Sequence, residues 1–282
     1  MPPLTPTQIV RRLMVDRVLA VFNDAAAGDK RIVISDRAMF ERDSPIRMVH
    51  ADVISMGVGG IVSLLLQMLH PHALQGVLDH SDFRADMHGR LRRTSRFIAV
   101  TTFAERSEAL AAIDRVNRIH RKVSGRLPDG TPYSARNPRT LAWVHLAEAT
   151  SFLAAYRAFV RPQMPAAEQD EYFRQFGVIA RALGADPVPE TRAEAAALVT
   201  DLRPDLAVSP ATRQVCRLVL NQRPKGVPWA AQRALATAAI DLLPPYARTM
   251  LGLRRPLASA LPARLATRTM SETLRWAFGQ RR

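Results

Sequence analysis

The stretch Glu105-Arg106-Ser107-Glu108-Ala109-Leu110-Ala111-Ala112-Ile113-Asp114-Arg115-Val116-Asn117-Arg118-Ile119-His120-Arg121-Lys122-Val123 decides how this chain is read. Leu110, Ile113, Val116, Ile119 and Val123 recur at steps of three and four, the spacing of one face of an α-helix. Strand alternation does not fit it. Gly125 and then Pro128-Asp129-Gly130 follow, residues that end a helix and turn the chain. The same period governs the flanks. Asp52 stands where a cap is needed for an apolar helix over Val53–Leu69, which stops before Pro71. A helix from near Asp86 carries Arg90 and Thr94. Asn137-Pro138 opens another with Trp143, His145 and Phe152, and Met164-Pro165 precedes one with Tyr172, Phe173 and Phe176. Pro187–Arg192 reads as a loop whose Thr191 caps an alanine-rich helix. An amphipathic helix is expected at Ile9–Phe22 and further helices at Trp229–Leu242 and Met270–Phe278. Short strands at Arg31–Ile34 or Ala99–Thr102 are isolated possibilities. The fold class expected is all-α.

Composition supports one helical unit. The 282 residues are 48% hydrophobic, and a mean hydropathy of -0.07 argues against a membrane bundle. Met1-Pro2-Pro3-Leu4-Thr5-Pro6 lacks the build of a secretory signal. Val53–Leu69 contains three glycines, two serines and a Gln, so it reads as a core helix, not a span. The single cysteine, Cys216, permits no internal disulfide, and cytoplasm is the expected location. We expect residues 1–44 to form an N-terminal helical segment, 45–222 the functional core, and 223–282 a basic helical extension packed on it. The net charge is +15, and from Arg223 onward eleven basic residues stand against two acidic ones. No aromatic-interleaved basic strand or recognition helix accompanies them, so nucleic acid is not an expected partner. Arg254, Arg255, Arg264, Arg268 and Arg275, interleaved with Leu251, Leu253, Leu257, Leu261 and Leu265, make either a solvated helix or a peripheral contact with an anionic membrane. Oligomeric state is not legible.

Common catalytic signatures are missing. Gly57-Val58-Gly59-Gly60 lacks dinucleotide spacing and reads as close helix packing. There is no Walker loop, His-Glu-x-x-His pair or nucleophile elbow, and one cysteine excludes a thiolate zinc cluster. Seven histidines remain: His50, His70, His72, His80, His88, His120 and His145. His120 lies four residues after Val116 and three before Val123, on the expected inward face. A buried imidazole there is either an iron ligand or a core histidine bonded to a carbonyl. Arg90 and Thr94 share a helix face, able to hold cofactor carboxylates or simply to face water. Asp79-His80-Ser81-Asp82-Phe83 is a polar knot between helices, either a cap or a carboxylate and imidazole near a reacting centre.

Taken in order, several segments resemble the MpaB-type oxygenase and rubber oxygenase (latex clearing protein) family. They are Gly59-Gly60, Leu66-Gln67-Met68-Leu69-His70-Pro71, Asp79-His80-Ser81-Asp82-Phe83, Arg90 with Thr94, and Ile119-His120 with Val123-Ser124-Gly125. Tyr133-Ser134-Ala135-Arg136-Asn137-Pro138, Trp143-Val144-His145, Tyr172-Phe173 and Pro187-Val188-Pro189-Glu190-Thr191 complete the series, over roughly residues 45 to 255. The resemblance implies a globin-like core around one haem b and the use of dioxygen on an apolar small molecule. His120 would be the proximal iron ligand, and Arg90, Thr94, Arg93 and His70 would stand on the cofactor side. Asp79, His80 and His145 are the candidate distal groups. Some rubber-cleaving members cap the iron with a lysine. Arg93 stands at that place and has no lone pair to give. No match exists for their catalytic glutamate, and no export signal is visible, which makes rubber a poor substrate. A haem- or lipid-binding protein without turnover is the alternative, as is a peripheral membrane protein led by its tail.

Overall fold

The computed structural model describes residues 31–82, 86–222 and 228–278, together with Thr5, Thr7, Gln8, Arg12 and Leu13. The helix expected at Ile9–Phe22 lies outside these residues except for Arg12 and Leu13, as do Phe83 and the proline-rich Arg223–Val227. The described chain is mostly helical, with one small hairpin; residues 31–44, expected to belong to an N-terminal helical segment, are turns and irregular chain. Its helices are α1 (Pro45–Ala51), α2 (Val53–Gln67), α3 (Pro71–His80), α4 (Met87–Phe103) and α5 (Arg106–His120). After the hairpin come α6 (Pro138–Phe159), α7 (Ala166–Ala182), α8 (Arg192–Leu202) and α9 (Pro210–Leu220). The chain ends in α10 (Trp229–Leu242), α11 (Pro245–Leu251) and α12 (Leu257–Phe278).

The core is built on α2 packed along α6, with α10, α12 and α9 covering other sides of α2. Both central helices are apolar almost all round, so they need partners on every side. Gly59 sets their approach. A Cβ there would lie 2.9 Å from Phe152 Cδ1 and 3.0 Å from both Phe152 Cα and the Ser151 carbonyl oxygen. Two of these are backbone atoms and cannot swing aside. Trp143, fully buried, ties the pair further by donating its indole N–H to the Leu66 carbonyl at 3.1 Å. Gly57, two residues earlier and so on the opposite side of the helix, is exposed with nothing near its missing Cβ. We therefore expect opposite signs from one substitution. Gly59→Ala should cost about 1–3 kcal/mol through overpacking, whereas Gly57→Ala should gain about 0.5–1 kcal/mol from helix propensity. Urea unfolding of the two variants reads this difference directly.

Among the described residues no single helix is long and apolar enough to cross a membrane. Helices α1 and α2 pass that test only as a pair, and they bend by 91° where they meet. Asp52 makes the bend. Its Oδ1 accepts from the Ser55 amide at 2.8 Å, capping α2 as the sequence predicts. Its Oδ2 accepts from Ser271 Oγ at 2.6 Å and Arg275 Nη1 at 2.9 Å, both on α12. Asp241, buried at the end of α10, accepts from Arg255 Nε at 3.0 Å and Arg264 Nε at 2.5 Å. Three arginines of the basic tail thus neutralise buried acids: Arg275 ties the tail to the core through Asp52, and Arg255 and Arg264 bond Asp241 within the tail itself.

Three expectations are corrected. The inward face of α5 is Ala109, Ala112 and Ile113, with Val116 and His120 half-buried at its edge. Leu110 is 44% and Ile119 54% exposed. Helix α4 packs closely on α5, and alanines admit that approach where larger side chains do not. Ala99–Thr102 lies inside α4, and Arg31–Ile34 forms no strand. The strands are instead Ser124–Arg126 (β1) and Pro132–Ser134 (β2), antiparallel with Gly125 opposite Tyr133, around the predicted Pro128–Gly130 turn. Finally, the helix over Val53–Leu69 does stop before Pro71, but Pro71 also opens a helix that was not expected, α3, so Asp79 and His80 sit on a helix end and not in a loop between helices.

Candidate cofactor site

Helix α3, the first turns of α4, the end of α5 and the hairpin converge on His120. At the N-terminus of α4, Asp86 Oδ1 accepts from the Gly89 amide at 2.8 Å and Asp86 Oδ2 pairs with Arg93 Nη1 at 3.4 Å. Gly89 is needed for this cap, because a Cβ there would fall 1.9 Å from Asp86 Oδ2. The cap starts the helix one turn before Arg90, whose guanidinium is half-buried and interacts with the His120 ring. Desolvation, then Arg93, lowers the pKa of Arg90, though an arginine stays charged. Thr94, one turn on, is exposed.

His120 ends α5. Its Nδ1 is buried without a hydrogen-bond partner, and Nε2 has none among the described residues. Desolvation first, and the Arg90 charge second, push its pKa below the ordinary histidine value, so the ring is neutral at pH 7. A neutral imidazole with both nitrogens unbonded has a lone pair free for a metal. No group of three or more His, Cys, Asp or Glu among the described residues is placed to hold a bare ion. One imidazole beside a guanidinium fits a metal whose other ligands come from its own macrocycle and whose carboxylates need a cation.

Asp79 and His80 meet the segment just after His120. Asp79 Oδ2 accepts from Tyr133 Oη at 2.5 Å, and Asp79 Oδ1 from Gln75 Nε2 at 2.7 Å. Burial and this acid raise Tyr133 to about 12. His80 Nε2 donates to the Ser124 carbonyl at 3.1 Å, which fixes the proton on that nitrogen. Both side chains pin the hairpin to α3, and the hairpin holds the end of α5. This arrangement positions His120. Tyr133 is the residue the sequence reading left out here, and its aromatic place opposite Gly125 was the available signal.

His145 and His70 lie elsewhere. His70 stands at the N-cap position of α3 without a side-chain capping bond, buried, its ring centroid 5.4 Å from that of His72. Desolvation and His72 lower its pKa to about 4. His145 is buried on α6 with its ring 4.6 Å from that of Phe176 and its Nε2 without a partner. It couples to His50, which Thr102 Oγ1 meets at 2.8 Å and Tyr172 Oη at 3.4 Å. Glu148, one turn along from His145, faces Gln67 and Tyr172. This second polar interior joins five helices, α1, α2, α4, α6 and α7. His50, Glu148 and Tyr172 were not picked out from sequence, although a carboxyl three residues from His145 on an apolar helix face was a usable sign.

No curated protein and no solved structure matches the chain. A family model described as ER-bound oxygenase mpaB/B'/Rubber oxygenase, catalytic domain, matches residues 47–276. That span covers the chain from within α1 almost to the end of α12, farther than the quoted motifs reach. The chain therefore belongs to the mpaB/rubber oxygenase family and carries its oxygenase catalytic domain.

Proposed function

We propose that this protein is a haem b-dependent oxygenase with His120 as the proximal iron ligand and an apolar small molecule as substrate. The observation that carries the reading is the His120 imidazole, neutral and half-buried, with Nδ1 buried without a hydrogen-bond partner among the described residues and the ring within the field of the Arg90 charge. Bound haem would supply the chemistry of dioxygen activation, which no side chain can. The chain's own residues do the holding. His120 would donate its lone pair to the iron, and Arg90, whose charge survives burial, would neutralise a propionate. Thr94, one turn from Arg90 on the same face of α4, would offer its hydroxyl to a carboxylate. Asp79, His80 and Tyr133 keep the end of α5 in register. Arg93 pairs with Asp86 and, having no lone pair to give, would not ligate iron.

Titrating purified protein with hemin tests this. One equivalent should develop a sharp, shifted Soret band and remain with the protein through gel filtration. A spectrum equal to free hemin plus colourless protein would end the proposal.

A further inference from the structure

Helix α12 is inverted relative to an ordinary surface helix. It buries small side chains, Ala263, Thr267, Ser271 and Ala277, and turns large apolar ones outward. Leu261 is 66%, Leu265 58% and Trp276 47% exposed. At 100° per residue these three fall within about 60° of arc, on a line roughly 22 Å long. Helix α10 packs along α12, with Asp241 near its end bonded to Arg264 near the start of α12. Trp229 opens α10, and an antiparallel pair puts it at the Trp276 end. It is 57% exposed, with the Arg233 guanidinium 4.9 Å from its ring centroid. Each of these residues left exposed costs free energy in water. Leu261 and Leu265 form one apolar end of the line and Trp276 with Trp229 the other, and between them the Arg268–Glu272 ion pair, 3.4 Å apart, lies on the same arc.

Charge says what covers it. Across 228–278 there are seven arginines against Asp241 and Glu272. Arg255, Arg264 and Arg275 are bonded to Asp241 and Asp52, and Arg268 to Glu272 on the face itself. The surplus positive charge beside the line therefore comes from Arg233 and Arg254, which flank it. A second copy would bring the same positive face and be repelled. A surface with fixed negative charge above a hydrocarbon layer satisfies both features, and tryptophans at one end of the line suit the boundary between them. We propose that the outer face of α12, with Trp229 at its end, docks peripherally on anionic lipid bilayers. The docking face is narrower than the interleaved tail read from sequence. Leu251 is buried, and Arg255, Arg264 and Arg275 are held by Asp241 and Asp52. The inference is independent of haem binding.

The protein carries its own reporter. Of its three tryptophans, Trp143 is 1% exposed, and the other two lie on the proposed face. Full-length protein, without hemin, is mixed with phosphatidylcholine vesicles, with or without about one third phosphatidylglycerol. We expect flotation with the anionic vesicles only, reversed by high salt, and a blue shift of tryptophan emission on binding. Trp229→Phe with Trp276→Phe should abolish the shift while Trp143 still emits. Leu261→Glu with Leu265→Glu should weaken binding at least about tenfold, with an unchanged melting curve because both positions are exposed. Three results would overturn the proposal: no flotation, equal binding to neutral vesicles, or vesicle-free self-association that the Leu261→Glu, Leu265→Glu protein loses.

Discussion

His120→Ala is expected to abolish the Soret band of the hemin-loaded protein, with affinity falling by about 100-fold or more as the single protein ligand to the metal is lost. Loss of folding would look similar, so the control is chemical. His120→Gly leaves a space the size of the missing ring, and added imidazole should restore the band there but not in Arg90→Ala. Arg90→Ala removes a charge partner and should weaken retention by about tenfold. The pH dependence has a defined sign. Protons compete with metal for the His120 lone pair. Because burial and Arg90 lower its pKa, haem retention should persist below the ordinary histidine pKa and fail only on stronger acidification. A His120→Ala protein that keeps an unaltered haem spectrum would remove His120 from the site.

Acidification should also destabilise the protein with two successive slopes, through the second polar interior. His50 and His145 are both buried, and desolvation lowers each from 6.5 to about 3. Their folded pKa is depressed, so their contribution is present above 6.5 and is lost as pH falls toward 3. Glu148 runs the other way. Desolvation, partly offset by Gln67, raises it from 4.5 to about 7, so its contribution is lost as pH rises through 7. Between 6.5 and 4.5 the unfolded chain gains two histidine protons while the folded chain keeps one on Glu148. Stability should then fall by roughly 1.4 kcal/mol per pH unit, and about twice as steeply below 4.5. Glu148→Gln should be more stable than the parent at pH 8 and show the steeper slope already from 6.5 downward. Urea unfolding across that range measures both, and a flat profile between 6.5 and 4.5 would refute the account.

Local chemistry was well marked in the sequence. Asp52, Asn137 and Thr191 cap the helices they were expected to cap, and Trp229–Leu242 has its predicted bounds. Caps and turns depend on neighbours within three or four residues, which a linear reading sees. The inward face of α5 was misread because size was taken for burial. Leu110 and Ile119 are larger than Ala109 and Ala112, yet a close helix crossing selects the small ones. The hairpin escaped because three-residue strands are too short to alternate. For the site, His120 and Arg90 were legible as residue types on helix faces. Their adjacency depends on how α4 folds back on α5. The pairing of His50 with Tyr172, 122 residues apart, leaves no local trace.

Asp52 also times the birth of the molecule. The acid that starts α2 finds two of its three bonding partners at Ser271 and Arg275, 219 and 223 positions later. Translation adds about 5–20 residues per second, so on the order of 10–40 s separate the emergence of that helix start from the arrival of its last ligands. During synthesis the most oily helix of the chain waits with a bare carboxylate at its head. A ribosome-bound intermediate stalled anywhere before Ser271 should therefore be a natural client for chaperones that shield greasy surfaces.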